Sequence, residues 1–261
     1  MSALDFSILW PALVAGLLVV ATHVPLGIQV LSRGIVFIDL AVAQIAGLGV
    51  IFADWLGFEP SGIAVQIAAL IAALAGALLL TFTERIWPEV QEAVIGVTFI
   101  LAANIAILLL AANPHGGEHL KDLLVGQILW VSVRQLIPVA VLSAALLAVM
   151  WFRRANLAGI VFYGLFALAI TASVQLVGVY LVFASLIVPA LATVGVDGPR
   201  RLVASYSIGI AGYVTGLILS ALLDLPSGAM IVWTLAACGI IGRVLLTVGS
   251  RKPMRSTVSA I

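Results

Sequence analysis

GIVFYGLFALAITASVQLVGVYLVFASLIVPALATVGV, residues 159–196, is an apolar run without a single charge. As one straight helix it is about 57 Å long, nearly twice the roughly 30 Å hydrocarbon core of a bilayer. The run has to break. Gly178 is the expected hinge, with Pro189 as a second discontinuity. The rest of the chain reads the same way. Hydrophobic residues make up 64% of the 261 and charged residues only 9%, too few to cover a soluble domain. Further apolar spans lie near 8–30, 35–53, 62–82, 93–111 and 135–152, with 159–176 and 179–196 as the two halves of the broken run. Two more follow at 202–223 and 227–248. No alternating pattern of about ten-residue segments is present, which excludes a β-barrel. Residues 1–261 are read as a single all-α domain, a polytopic transmembrane helical bundle of about 8–9 spans.

Charge placement orients the bundle. With nine spans, Arg33, Arg85, Arg153, Arg154, Arg200, Arg201, Arg251, Lys252 and Arg255 all fall on one side. Lys121 and Arg134 fall on the other. The positive-inside rule makes the Arg-rich side cytoplasmic, with the N-terminus outside and the C-terminus inside. The net charge of +1 carries no information about partners and gives no sign of nucleic-acid binding. The first span lacks a basic leading segment, so it reads as a span and not as a cleaved signal. Cys238 is the single cysteine, so no intrachain disulfide forms.

Ionisable side chains inside apolar spans are costly and point to function. His23 in the first span and Asp39 in the second stand out, with Gln44 beside them. A turn at Arg33–Gly34 places His23 about 15 Å above the Arg side, and Gln44 at nearly the same height on the returning helix. An antiparallel hairpin then gathers an imidazole, a carboxylate and two amides, Gln44 and Gln29, into one polar stripe. That set suits zinc, or manganese where oxygen donors dominate. The alternative is structural: His23 as a neutral core histidine bonded to Gln44 or to a carbonyl freed by Pro25, and Asp39 paired with Arg33. Gln29, Asn104 and Gln175 read as hydrogen-bonding contacts between helices. Gly47, Gly49, Gly76, Gly209, Gly212 and Gly216 read as close helix packing. Trp55, Trp87 and Trp130 read as interfacial anchors.

An outer connection carries a second cluster, His115, Glu118, His119 and Asp122. Its His-x-x-Glu-His order matches an inverted zinc-protease motif, but Pro114 and the pair Gly116-Gly117 oppose the rigid helix that chemistry needs. An outer loop that touches the incoming cation, or docks a delivery protein, is the stronger reading. No phosphate-binding loop is present, so if transport is driven by ATP another chain must bind the nucleotide. Two other classes stay open at this point. One is an intramembrane zinc metallo-enzyme using His115, Glu118 and His119. The other is an ion-coupled secondary transporter using Asp39 as proton carrier.

Five passages in order carry a resemblance. They are Leu26-Gly27 through Arg33 into Phe37-Ile38-Asp39-Leu40-Ala41-Val42-Ala43-Gln44; Glu84-Arg85 through Glu92-Ala93-Val94-Ile95-Gly96; and Leu124-Val125-Gly126-Gln127-Ile128-Leu129. Gln175-Leu176-Val177-Gly178-Val179-Tyr180-Leu181-Val182 follows, running on to Ile187-Val188-Pro189-Ala190, and then Leu223-Asp224-Leu225-Pro226-Ser227-Gly228. Together they resemble the permease subunits of bacterial metal-ion ABC importers of the zinc/manganese/iron type. The resemblance implies a transporter subunit and not an enzyme, in the bacterial inner membrane. It also implies a permease homodimer, cytoplasmic ABC ATPase subunits and an extracytoplasmic metal-binding protein. A divalent metal ion, zinc first, is cargo, with no permanent cofactor. In the family the second span reads Gly-Asp-Ala-Leu-Ser-His. Here Gln44 stands where histidine is expected, and His23 on the neighbouring helix is the expected replacement. The transient metal set is therefore His23, Asp39 and Gln44. The segment after the fifth span, which docks the ATPase in the family, is short here. Arg153 and Arg154 are the expected contacts, with Arg85 of the 83–92 segment sharing the role.

Overall fold

The computed structural model describes residues 6–59, 62–110, 128–152 and 159–249. The described residues form nine α-helices and no strands. They are α1 (Phe6–Arg33), α2 (Ile38–Trp55), α3 (Ile63–Ile86), α4 (Gln91–Leu110) and α5 (Val133–Phe152), then α6 (Gly159–Val177), α7 (Val179–Ala192), α8 (Pro199–Leu223) and α9 (Ser227–Gly249). Eight of them are long and apolar enough to cross a membrane, and Val179–Ala192 is the short one. Its 14 residues extend only about 21 Å. The expected seventh span is thus a partial one.

Gly178 makes the break. Its φ of 80° and ψ of 163° lie outside what a side-chain-bearing residue readily adopts. The expected discontinuity at Pro189 does not occur, because α7 runs through it. Thr193 helps there: its hydroxyl donates to the Pro189 and Ala190 carbonyls, both at 3.1 Å. Pro25 in α1 is absorbed in a similar way. A proline removes the N–H that would bond the carbonyl four residues back, here that of Ala21. The Tyr206 hydroxyl of α8 donates to that carbonyl at 3.0 Å. Sequence punctuation sets the ends of α8. Pro199 opens it, and Asp224, with φ 53°, closes it ahead of Leu225-Pro226.

Packing divides the helices into two groups. α2 lies against α3 and α4, while α1 lies against α7, α8 and α5. α6 bridges them through α3 and α2 on one side and α1, α5 and α7 on the other, and α9 covers α8 and α7. The main buried cluster draws on all nine helices. Small residues bring the axes together, as expected from sequence. A Cβ on Gly49 meets the Ala68 carbonyl at 2.7 Å, and one on Gly212 meets Leu235 at 2.5 Å. Thr234 of α9 also donates to the Gly212 carbonyl at 2.7 Å. Ile71, Leu108, Ile137 and Leu245 project outward as a lipid-facing surface. Trp55, Trp87 and Trp130 sit exposed at or beside helix ends, where interfacial anchors belong.

Candidate functional site

His23 is wholly buried on α1, one turn past Val19. Its Nδ1 lies 2.9 Å from the Val19 carbonyl and 3.0 Å from the Thr22 hydroxyl. That hydroxyl also lies 3.3 Å and 3.2 Å from the Leu18 and Val19 carbonyls, to which it donates. A carbonyl cannot donate, so Nδ1 carries the proton. Nε2 is left with its lone pair, and it is buried without a hydrogen-bond partner. A second hydrogen bond that fixes the tautomer in this way prepares an imidazole to accept a cation.

Asp39 sits in the first turn of α2 and is 1% exposed. Its Oδ1 has no hydrogen-bond partner. The backbone N–H of Leu40 supports the carboxylate, as a helix start does for an anion. Directly before it, the Phe37 N–H donates to Glu92 Oε1 of α4 at 3.2 Å, and Glu92 Oε2 is again buried and without a partner. Sequence reasoning missed this role of Glu92. The available signal was an acidic residue in the first turn of a helix, which ties the turn before α4 to the helix that bears Asp39.

The expected polar stripe is not assembled. The helices α1 and α2 hardly touch, because each has turned to other partners. Depth differs as well. The Ile35 N–H bonds the Val30 carbonyl, so the chain doubles back at once, and residues 34–37 are spent on the turn. Asp39 is then near the level of Arg33, Gln44 about 9 Å up α2, and His23 about 15 Å up α1. Gln44 is half-buried. The structure thus presents separate buried donors, the His23 imidazole on α1 and the Asp39 carboxylate on α2, with Glu92 Oε2 of α4 a further unpartnered carboxylate oxygen. Among the described residues no group of three or more His, Cys, Asp or Glu side chains is gathered for a metal.

At the Arg33 end, the guanidinium of Arg33 lies 4.0 Å above the Phe162 ring of α6. Gln91 is buried there and donates to the Leu80 carbonyl at 2.9 Å and to the Tyr163 hydroxyl at 3.3 Å. Thr83 donates to Gln91 Oε1 at 3.1 Å. This network fixes the 83–92 segment against α6 and leaves Arg85, Ile86 and Trp87 exposed. His115, Glu118, His119, Asp122, Arg153 and Arg154 lie outside the described residues.

The model of the ABC 3 transport family matches residues 5–164 and 155–245. A Haemophilus influenzae protein named "Probable iron transport system membrane protein" is 35% identical over 145 residues. That stretch is 48% of this chain and 54% of the relative, so it spans about half of the relative's length. The manganese transport system membrane protein MntC of Halalkalibacterium halodurans is 26% identical over 88% of this chain and 84% of its own. A solved structure described as PsaBC from Streptococcus pneumoniae in complex with Fab superposes with a TM-score of 0.72. It is 21% identical and covers 94% of this chain and 96% of its own, a likeness of fold.

Proposed function

The chain belongs to the ABC 3 transport family, and on that premise we propose that it is the membrane-spanning permease subunit of an ATP-driven importer of divalent transition-metal ions. One observation carries the proposal. Two ionisable side chains, His23 and Asp39, are buried in an apolar membrane bundle, each with an atom able to hold a cation and bonded to nothing else. Such groups are expensive in hydrocarbon unless they serve a passing charge.

The donors are one carboxylate and one imidazole, with the amide of Gln44 between their levels. No thiolate takes part. Carboxylate and amide oxygens suit manganese, and imidazole suits iron as well as zinc. The named relatives are iron and manganese systems. Manganese(II) or iron(II) is therefore the proposed cargo, in place of the zinc suggested by sequence. His23 and Asp39 act as successive stations and not as one chelate, because their helices hardly touch. A station with few ligands releases its ion readily, which conduction requires.

The Arg-bearing end of the bundle, with Arg33, Arg85, Arg200 and Arg201, is the cytoplasmic one by the positive-inside rule. The N-terminus is then outside and the C-terminus inside. A separate cytoplasmic ATPase supplies the energy, reached through the exposed residues 85–90 together with Arg153 and Arg154. A second copy of this chain completes the permease, and an extracytoplasmic binding protein delivers the ion. Membership of a transport family does not favour the metallo-enzyme reading.

The test is uptake of radiolabelled manganese into vesicles that hold this chain with its ATPase. Uptake should require ATP, and excess iron(II) should compete more strongly than excess magnesium. Metal uptake driven by a proton gradient without ATP would replace this reading with secondary transport.

A further inference from the structure

The break between α6 and α7 lies inside the membrane, and two rulers, both starting at Arg33 but running along different helices, place it there. Arg33, at the cytoplasmic end of α1, sits over the Phe162 ring. Gly178 is sixteen residues further along α6, about 24 Å above that level. The second ruler passes through Gly27, six residues before Arg33. A Cβ there would meet the Leu186 carbonyl at 2.0 Å, so Leu186 lies beside it. Counting up α1 from Arg33 and then up α7 to Val179 gives about 20 Å. Both values fall short of the roughly 30 Å hydrocarbon core.

Polar groups face outward at this depth. Gln175 is exposed, one turn before the break, and Tyr180 is 54% exposed just after it. The first N–H groups of α7 have no preceding turn to bond to. Thr171, one turn below Gln175 on the same face, is 5% exposed, and its hydroxyl has no hydrogen-bond partner. Leu176, Val177, Gly178 and Val179 at the break are buried in protein, whereas exposed amides are not tolerated against lipid. They occur at such depth where they line water or protein. Tyr180 and Phe183 also line a groove of about 580 Å³ between α7 and α9, whose other walls are apolar. Below, the Phe183 ring stacks on Phe37 with centroids 6.5 Å apart, and Phe37 is two residues from Asp39.

We propose that Gln175 and Tyr180, at the break between α6 and α7, line a water-filled stretch of the ion's route through the outer third of the membrane. This rests on the transport reading above and adds the wall of the passage. The amide and phenol oxygens of these residues are hard, neutral donors. They suit a hydrated divalent cation that is guided without being trapped.

Cysteine accessibility tests it. In a Cys238→Ser background, Gln175→Cys and Tyr180→Cys are compared with Ile71→Cys, whose position is 62% exposed on an apolar face of α3 with Ile67 and Leu78. The full chain with its ATPase is placed in vesicles and treated with a membrane-impermeant cationic thiol reagent. Only a thiol in water ionises and reacts, so both variants should label at least about tenfold faster than Ile71→Cys. Manganese should slow the labelling. Labelling as slow as at Ile71→Cys at both positions would show a lipid-facing or tightly packed surface and overturn the proposal. Fast labelling supports it whichever metal is carried. Manganese uptake by the wild type with both thiols unreactive would leave the transport reading standing and remove this one alone.

Discussion

Gly27→Ala should separate two helices that the fold holds in backbone contact. The added Cβ would lie 2.0 Å from the Leu186 carbonyl oxygen, 2.9 Å from its carbon and 3.3 Å from the Ala190 Cβ. The nearest obstacle is main chain, so no side-chain rotation relieves it. α1 and α7 would have to part by more than about 1 Å to restore an ordinary carbon–oxygen contact of roughly 3.3 Å. Overpacking of this kind costs about 1–3 kcal/mol, and a rigid backbone neighbour puts Gly27→Ala at the upper end, about 3 kcal/mol. Loss of helical signal on heating in detergent, followed by far-ultraviolet circular dichroism, reads the change. The midpoint should fall by on the order of 10 °C. Gly96→Ala is the control, since nothing lies within 4 Å of its added Cβ. It should be neutral or raise stability by up to about 1 kcal/mol, through helix propensity alone. Equal midpoints for Gly27→Ala and Gly96→Ala would refute the close approach of α1 to α7, and with it one of the two rulers that place the helix break.

Three other outcomes follow from single contacts. Gly178→Ala should cost about 1–3 kcal/mol, because its φ of 80° strains any residue with a Cβ; a midpoint unchanged from wild type would mean the break is not held there. Tyr206→Phe should cost about 1–2 kcal/mol by leaving the Ala21 carbonyl, freed by Pro25, without a donor. The same change combined with Pro25→Ala should recover most of that loss. Gln91→Leu removes the bonds to Leu80, Tyr163 and Thr83 together, so it should destabilise by about 2–3 kcal/mol and loosen the 83–92 segment toward proteolysis.

Much of the bundle was legible because span length and hydropathy are local properties. The start of α6 at Gly159, the break at Gly178 and the extent of α8 through Leu223 follow from apolar run length, glycine and proline placement. Pro189 misled because a proline signals a lost hydrogen bond but not its repair, and Thr193 supplies that repair from one turn away. The functional residues were legible as residue types: His23 and Asp39 are costly in an apolar span, and both are buried. Their relation to each other was not. The hairpin picture assumed that helices adjacent in sequence pack together, whereas α1 finds α7 and α8, and α2 finds α3 and α4. It also spent no residues on the turn, which takes 34–37. Glu92 was invisible as a partner of Phe37 because the contact joins positions 55 residues apart. Gln175 read as a contact between helices, yet it is exposed beside the break. Only the depth of that break in the folded chain gives it a different meaning.

The carboxylate of Asp39 is the element on which transport depends in this account. Asp39→Asn keeps the shape of the side chain and removes the charge that meets the ion. ATP-driven manganese uptake should fall at least about tenfold, the factor that roughly 1.4 kcal/mol of lost ion contact represents, with the protein still folded and still associated with its ATPase. Uptake at the wild-type rate by Asp39→Asn would contradict the account at its centre.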